Sequence, residues 1–308
     1  MVRYIEVKSI REGVYLLWRM GHSEEARRFS FGTQKNLQLI NDKINSIINA
    51  DVHEGDGVTR ITKHVLRYSA IYREHSVDES QLVWIKQDQY GCMYFWLRLI
   101  KEYVTFYSED ADDAYPQYYF RRKRHLWLIG EHLPSAIPDT PEQCYLATLS
   151  ILDILLTQTN KYDSITSEIK NDYLNNKKIF RKDFSWMVDA GKENIEWIME
   201  QFCSERRIFR NFRDVNIIPE MQVFAIPAIY YLWNEESAEK QLFLNTLRKR
   251  YANMKHRKKV ATKAPINIRI SENSKKTLVK LEKRFNRNRA DVIEFLIEKA
   301  WAELNQKN

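Results

Sequence analysis

Along most of the chain, apolar residues recur three and four positions apart, the spacing that lines one face of an α-helix. The stretches "SIREGVYLLWRM" (9–20), "NLQLINDKINSIINA" (36–50) and "QLVWIKQDQYGCMYFWLRLIKEYVTFY" (81–107) carry it first. A second group follows in "PSAIPDTPEQCYLATLSILDILLTQ", "KENIEWIMEQFCSERRIF", "MQVFAIPAIYYLW" and "SAEKQLFLNTLRKRYANMKH". Thr140 before Pro141 predicts an N-cap followed by proline at the first helical position, where its missing N–H costs no hydrogen bond. The period changes at "PINIRIS", where Ile266, Ile268 and Ile270 fall on one face of a strand and Asn267 and Arg269 on the other. Two short helical stripes follow: Leu278, Leu281 and Phe285, then Val292, Ile293, Leu296, Ile297 and Ala300, split by the turn "NRNR". Asn288, with Asp291 three residues on, predicts a capped start for the second of these helices. The turn has no glycine, so Asn286 or Asn288 is expected to take the left-handed backbone conformation.

The pattern predicts a mainly α protein: an N-terminal helical domain over 1–135, a second helical region over 136–260 ending in a basic helix, and a small strand-helix-helix domain over 261–308. The boundaries are expected near Leu133–Pro138 and in the basic, helix-poor "KKVATKAP". Trp18, Trp84, Trp96, Trp127, Trp186, Trp197 and Trp233 lie along the helical stretches at spacings that suit burial.

Charge sharpens this division. From Gln241 onward there are 18 Lys+Arg against 6 Asp+Glu, which leaves 31 against 35 in the preceding 240 residues. The net +8 is therefore entirely C-terminal, as expected of a segment that neutralises phosphates, although on charge alone an anionic membrane surface or RNA would serve equally well. No run of about 18 apolar residues predicts a membrane span, and "MVRYIEVKSIREG" has no signal-peptide core, so a cytoplasmic, nucleoid-associated protein is expected. Cys92, Cys144 and Cys203 lack the close pairing of zinc or redox motifs and are expected as free, buried thiols.

A lone five-residue strand cannot satisfy its own backbone, and no partner strand is evident nearby. A second copy of the same strand is the economical partner. The resulting intermolecular ribbon would turn its isoleucines onto the helices and present two Asn267 and two Arg269 outward. A two-stranded ribbon fits the DNA major groove, where Arg reads guanine and Asn reads adenine through paired hydrogen bonds.

From Pro265 to about Leu304 the order strand, helix, polar turn, helix resembles the ribbon-helix-helix family of dimeric DNA-binding proteins, of the Arc, MetJ and CopG kind. That resemblance implies a homodimer joined through a two-stranded β-ribbon, with Asn267 and Arg269 as base readers. It also implies a phosphate clamp at the start of the second helix, Arg287, Asn288 and Arg289, with Lys263 and Ser271 as further phosphate contacts. Upstream, "SAEKQLFLNTLRKRYANMKHRKKVATKAPINIRI" is similar to the MatP family, which organises the chromosome terminus, in passing from a basic helix through a basic linker into the ribbon strand. Onto that layout fall Arg248, Lys249 and Arg250, then Lys255, His256, Arg257, Lys258 and Lys259, implying a second DNA contact. Against that layout, far more N-terminal protein and no C-terminal coiled-coil extension are expected.

The first 240 residues show no phosphate-binding glycine loop, no HExxH and no serine elbow. Asp110, Asp112 and Asp113 in "SEDADDAY" lack the glutamate and turn glycine of a calcium loop and are expected as a solvated loop. Arg250 and His256 match the loose Arg-x5-His spacing of the HEPN ribonucleases, but inside a basic helix. "YYFRRKRHLW" (118–127) interleaves aromatics with Arg121, Arg122, Lys123 and Arg124, as an auxiliary nucleic-acid contact or a charged helix end. The expectation is a non-enzymatic, site-specific double-stranded DNA-binding dimer, a regulator or DNA-organising factor, with no cofactor or metal. Its N-terminal helical region would serve as a partner-binding, sensing or architectural domain. The competing expectation is a toxin or phage-defence effector whose C-terminal domain tethers it to DNA or represses its own gene.

Overall fold

The computed structural model describes residues 4–31, 36–52, 58–109, 133–158, 164–187, 190–205, 208, 212, 215, 217–261 and 267–305. They are mainly helical, and no strand occurs among them. The chain forms two compact units, Met1–Lys249 and Arg250–Asn308. In order, the helices are α1 (Ile10–Arg19), α2 (Ser23–Phe29), α3 (Leu37–Val52), α4 (Val58–His75), α5 (Val83–Lys86), α6 (Gln89–Glu109) and α7 (Pro141–Gln158). After them come α8 (Ile165–Phe184), α9 (Lys192–Ser204), α10 (Pro219–Leu232), α11 (Ser237–Val260), α12 (Glu272–Phe285) and α13 (Arg289–Asn305).

The core of the first unit is built on α6, α7 and α10. Each has apolar residues around most of its circumference, the pattern of a helix enclosed by others. Phe95, Trp96, Leu97 and Ile100 of α6, Ile151 and Leu152 of α7, and Ile226 and Ile229 of α10 are all fully buried. α6 packs on both α7 and α10. The expected boundary at Leu133–Pro138 therefore lies inside the first unit, because the helices flanking it share one core. The cap expected at Thr140 is present, with the Gln143 N–H donating to Oγ1 at 3.2 Å.

α1 is the second organiser, packing on α2, α3, α4 and α7. Its N-cap Ser9 accepts from the Glu12 N–H. Gly13 allows the close approach of α3: a Cβ there would stand 2.4 Å from Ile40 Cδ1. Residues 4–7 run along α3, held by two asparagines one turn apart. Asn45 accepts from Ile5 N–H at 2.9 Å and donates to Ile5 O at 2.8 Å, while Asn41 accepts from Val7 N–H at 2.8 Å. These side-chain amides replace the strand partner that the segment lacks.

Two buried carboxylates tie this layer together. Asp153 of α7 receives Nε of Arg11 at 2.5 Å and also Nη2 of the same guanidinium, which donates in addition to Val77 O at 3.2 Å. Glu12 accepts from Lys8 N–H at 2.8 Å, Ser69 Oγ at 2.7 Å and Arg73 Nε at 3.0 Å. Burial pushes the Asp153 carboxyl up to about 6 despite the facing guanidinium. The last carbonyls of α10 are capped by ammonium groups, Lys240 Nζ on Tyr231 O and Lys101 Nζ on Leu232 O, both at 3.4 Å.

Of the expected core tryptophans, Trp96 and Trp233 are buried and Trp18, Trp84, Trp186 and Trp197 half-buried. Trp127 lies outside the described residues. Cys92 and Cys144 are free and buried, but Cys203 is exposed, a correction to the expected burial of all three. α4 and α8 lie outside the helical stretches expected from the sequence. α8 is rich in Asn and Lys and buries only a narrow stripe, Ile165, Ile169, Tyr173, Phe180 and Phe184.

Candidate nucleic-acid interface

In the second unit, α12 and α13 pack against each other as a hairpin. Ser271, one of the sequence-predicted phosphate contacts, is the N-cap of α12, its Oγ accepting from the Ser274 N–H at 3.2 Å. Asn286 ends α12 at φ 50°, ψ 43°, the left-handed conformation expected of one of the turn asparagines. Its N–H and that of Arg287 both donate to Glu282 O, closing the helix end. Asn288 then opens α13 as expected: its Oδ1 accepts from Asp291 N–H at 3.1 Å, and its Nδ2 donates to Asp291 Oδ2 at 2.5 Å.

This capping also changes how the expected clamp is arranged. Asn288 is engaged with Asp291, Arg289 donates to both carboxylate oxygens of Glu282 at 3.1 and 3.4 Å, and the Arg287 guanidinium lies 5.2 Å from the centre of the Phe295 ring. The three side chains are brought to one turn, each with an intramolecular partner that a phosphate would have to replace. Phe295, absent from the expected stripe, meets Phe285 edge to face at 5.3 Å. The signal for it was its position, three residues after the buried Val292.

Residues 267–270 lie outside any helix. Asn267 and Arg269 are exposed, with no hydrogen-bond partner among the described residues. Ile268 and Ile270 are 55% and 45% exposed, and Ile266 and Lys263 lie outside the described residues. Leu278 and Val292 are buried, whereas Val279, Phe285, Leu296, Ile297, Trp301 and Leu304 are exposed. Along α13 the positions 293, 296, 297, 300, 301 and 304 form one continuous helical stripe, and only Ile293 of these is even half-buried.

On α11, Leu244, Leu247 and Tyr251 are buried. Phe243 meets Phe202 at 5.1 Å and Trp233 at 5.8 Å, edge to face in both cases. Arg248 donates to the Asp183 backbone carbonyl and stands 3.6 Å from its Oδ1, so this predicted phosphate contact anchors α11 to the end of α8. Lys249, Arg250, Arg257, Lys258 and Lys259 are exposed, and Lys255 Nζ stands over the Tyr251 ring at 5.5 Å. Arg250 and His256 are both exposed on this helix and, six residues apart, project about 120° from each other. Asp110, Asp112, Asp113 and the run 118–127 lie outside the described residues.

Among the described residues no cluster of three or more His, Cys, Asp or Glu could hold a metal ion, and no helix is long and apolar enough to cross a membrane. No known protein family, curated protein or solved structure matches the chain. Its function is therefore read from its own residues.

Proposed function

We propose that the chain is a site-specific double-stranded DNA-binding protein that acts as a homodimer of the ribbon-helix-helix kind, reading the major groove with Asn267 and Arg269. The observation that carries this reading is the unsatisfied state of the C-terminal unit as a single chain. Its described residues bury only Tyr251, Leu278 and Val292 as apolar side chains, while eight large apolar side chains stand exposed beside a non-helical segment of alternating isoleucines. A core that small does not hold a domain together, and oligomerisation is the usual remedy. A second copy supplies the same strand and the same stripe, related by a two-fold axis. Pairing two strands satisfies their backbones and places Ile268 and Ile270 over the helices. Burying each large side chain contributes about 1.5–3 kcal/mol before ordering costs.

The side chains opposite the isoleucines are then the ones left facing outward. Arg269 and Asn267, exposed and with no hydrogen-bond partner among the described residues, have the donors and acceptors that distinguish guanine and adenine edges. The basic residues Lys249, Arg250, Arg257, Lys258 and Lys259 add affinity without sequence preference. Sedimentation of the full chain tests the dimer: a two-chain species is expected for the parent and a single chain for Ile268→Lys combined with Ile297→Lys. A parent that sediments as one chain at micromolar concentration contradicts the proposal.

A further inference from the structure

The last two turns of α8 carry Lys177, Lys178, Arg181 and Lys182 within six residues, with no acidic residue among them. Lys177 is held by Asp88, Nζ to Oδ2 at 2.6 Å, and stands over the Tyr173 ring at 5.7 Å. Lys178, Arg181 and Lys182 are exposed, and none has an ion-pair partner among the described residues. Spaced three and four apart, they share one face of the helix. The acid that follows them, Asp183, does not neutralise them. Its Oδ2 accepts the Tyr231 hydroxyl at 3.0 Å, and its Oδ1 and carbonyl face Arg248.

That contact brings the start of the basic run on α11 to the end of α8. Arg248 is taken by Asp183, but the neighbouring Lys249 is exposed and unpaired among the described residues. Both helices thus carry exposed cations with no ion-pair partner among the described residues, on a unit whose overall composition is not basic. A charge-rich last turn also favours the helix dipole, but that effect falls off within the final turn, where only Arg181 and Lys182 stand. Lys178 lies beyond it.

We infer that Lys178, Arg181 and Lys182 of α8 form a second DNA-backbone contact on the helical unit. This inference rests on the proposed DNA binding and extends it from the C-terminal unit to the first. Contacts of this kind track phosphates and carry no sequence information, so they add affinity uniformly and raise its salt dependence. Each phosphate neutralised contributes about 0.9 to the slope of log K against log salt.

The test measures binding of the full chain to a random-sequence DNA duplex by fluorescence anisotropy over a salt series. The variant combines Lys178→Gln, Arg181→Gln and Lys182→Gln. Lys63→Gln with Arg67→Gln, exposed cations on α4, controls for the loss of surface cations elsewhere on the same unit. The triple variant is expected to melt like the parent and to lower the salt slope by about 2 to 3, with the control lowering it by less than 1. A triple variant with the parent's slope, or a control that lowers it as much, overturns the inference while leaving the ribbon reading intact. A parent that binds no duplex, or binds RNA or anionic vesicles more tightly than DNA, overturns both.

Discussion

At the scale of single residues, the arrangement depends on a few polar groups whose partners are remote in sequence. Asp153 and Arg11 are 142 positions apart, and the carboxylate is 1% exposed. Removing one member leaves the other charge without its partner, so Asp153→Ala should lower unfolding stability by about 3 kcal/mol or more in denaturant titration. The same pair sets a pH dependence. Burial raises the folded carboxyl from 3.8 to about 6, so between these values the folded chain binds a proton that the unfolded chain does not. Stability from this group is fully present below about pH 4 and is lost as pH rises through 6. The melting temperature of the parent relative to Asp153→Asn should accordingly rise as pH falls from 7.5 to 5; a constant difference would remove the burial argument. The partners of neither carboxylate were legible in the sequence. Glu12 sits in an amphipathic stretch like any surface acid, Asp153 in the almost wholly apolar run of α7, and only the folded chain brings Arg73 and Arg11 to them.

At the scale of elements, local rules carried further. Thr140, Asn288 with Asp291, and the left-handed asparagine in the inter-helix turn are all short-range features, fixed by backbone donors within three or four residues. They were readable for that reason. Asn288→Ala should cost about 1 kcal/mol of stability. Asn286→Val should cost about 1–2 kcal/mol, because a β-branched residue resists φ 50°, whereas Asn286→Gly should be close to neutral. Thermal melts of the three variants check the order. Helix α8 escaped the pattern because its buried stripe is narrow and interrupted, with polar Asn and Lys on most of its circumference. The approach of α1 to α3 is similarly non-local. Gly13→Ala places a methyl 2.4 Å from Ile40 Cδ1 and should cost about 1–3 kcal/mol, partly recovered by adding Ile40→Val. Full additivity of the two changes would mean that the contact is not the cause.

At the scale of the whole molecule, the division of charge was legible and the division of the fold only partly so. Counting Lys and Arg isolates the C-terminal basic region without any structure. That the helices of 1–135 share a core with those that follow is a property of α6, α7 and α10 together, which no local window contains. In the C-terminal unit, the exposed Ile268 and Ile270, the exposed α13 stripe and the exposed Arg269 are the features on which the proposed dimer rests. Arg269→Ala should weaken binding at a preferred site by about 1–3 kcal/mol and relax the choice of base there. Lys259→Ala should weaken all duplexes alike and reduce the salt slope by about 1. The most direct measurement is selection of bound duplexes from a random pool by the full chain and by Arg269→Ala, followed by sequencing. A two-fold-symmetric motif enriched by the parent and flattened in the variant is the predicted result. No enriched motif, or the same motif from both proteins, would contradict base reading by the ribbon.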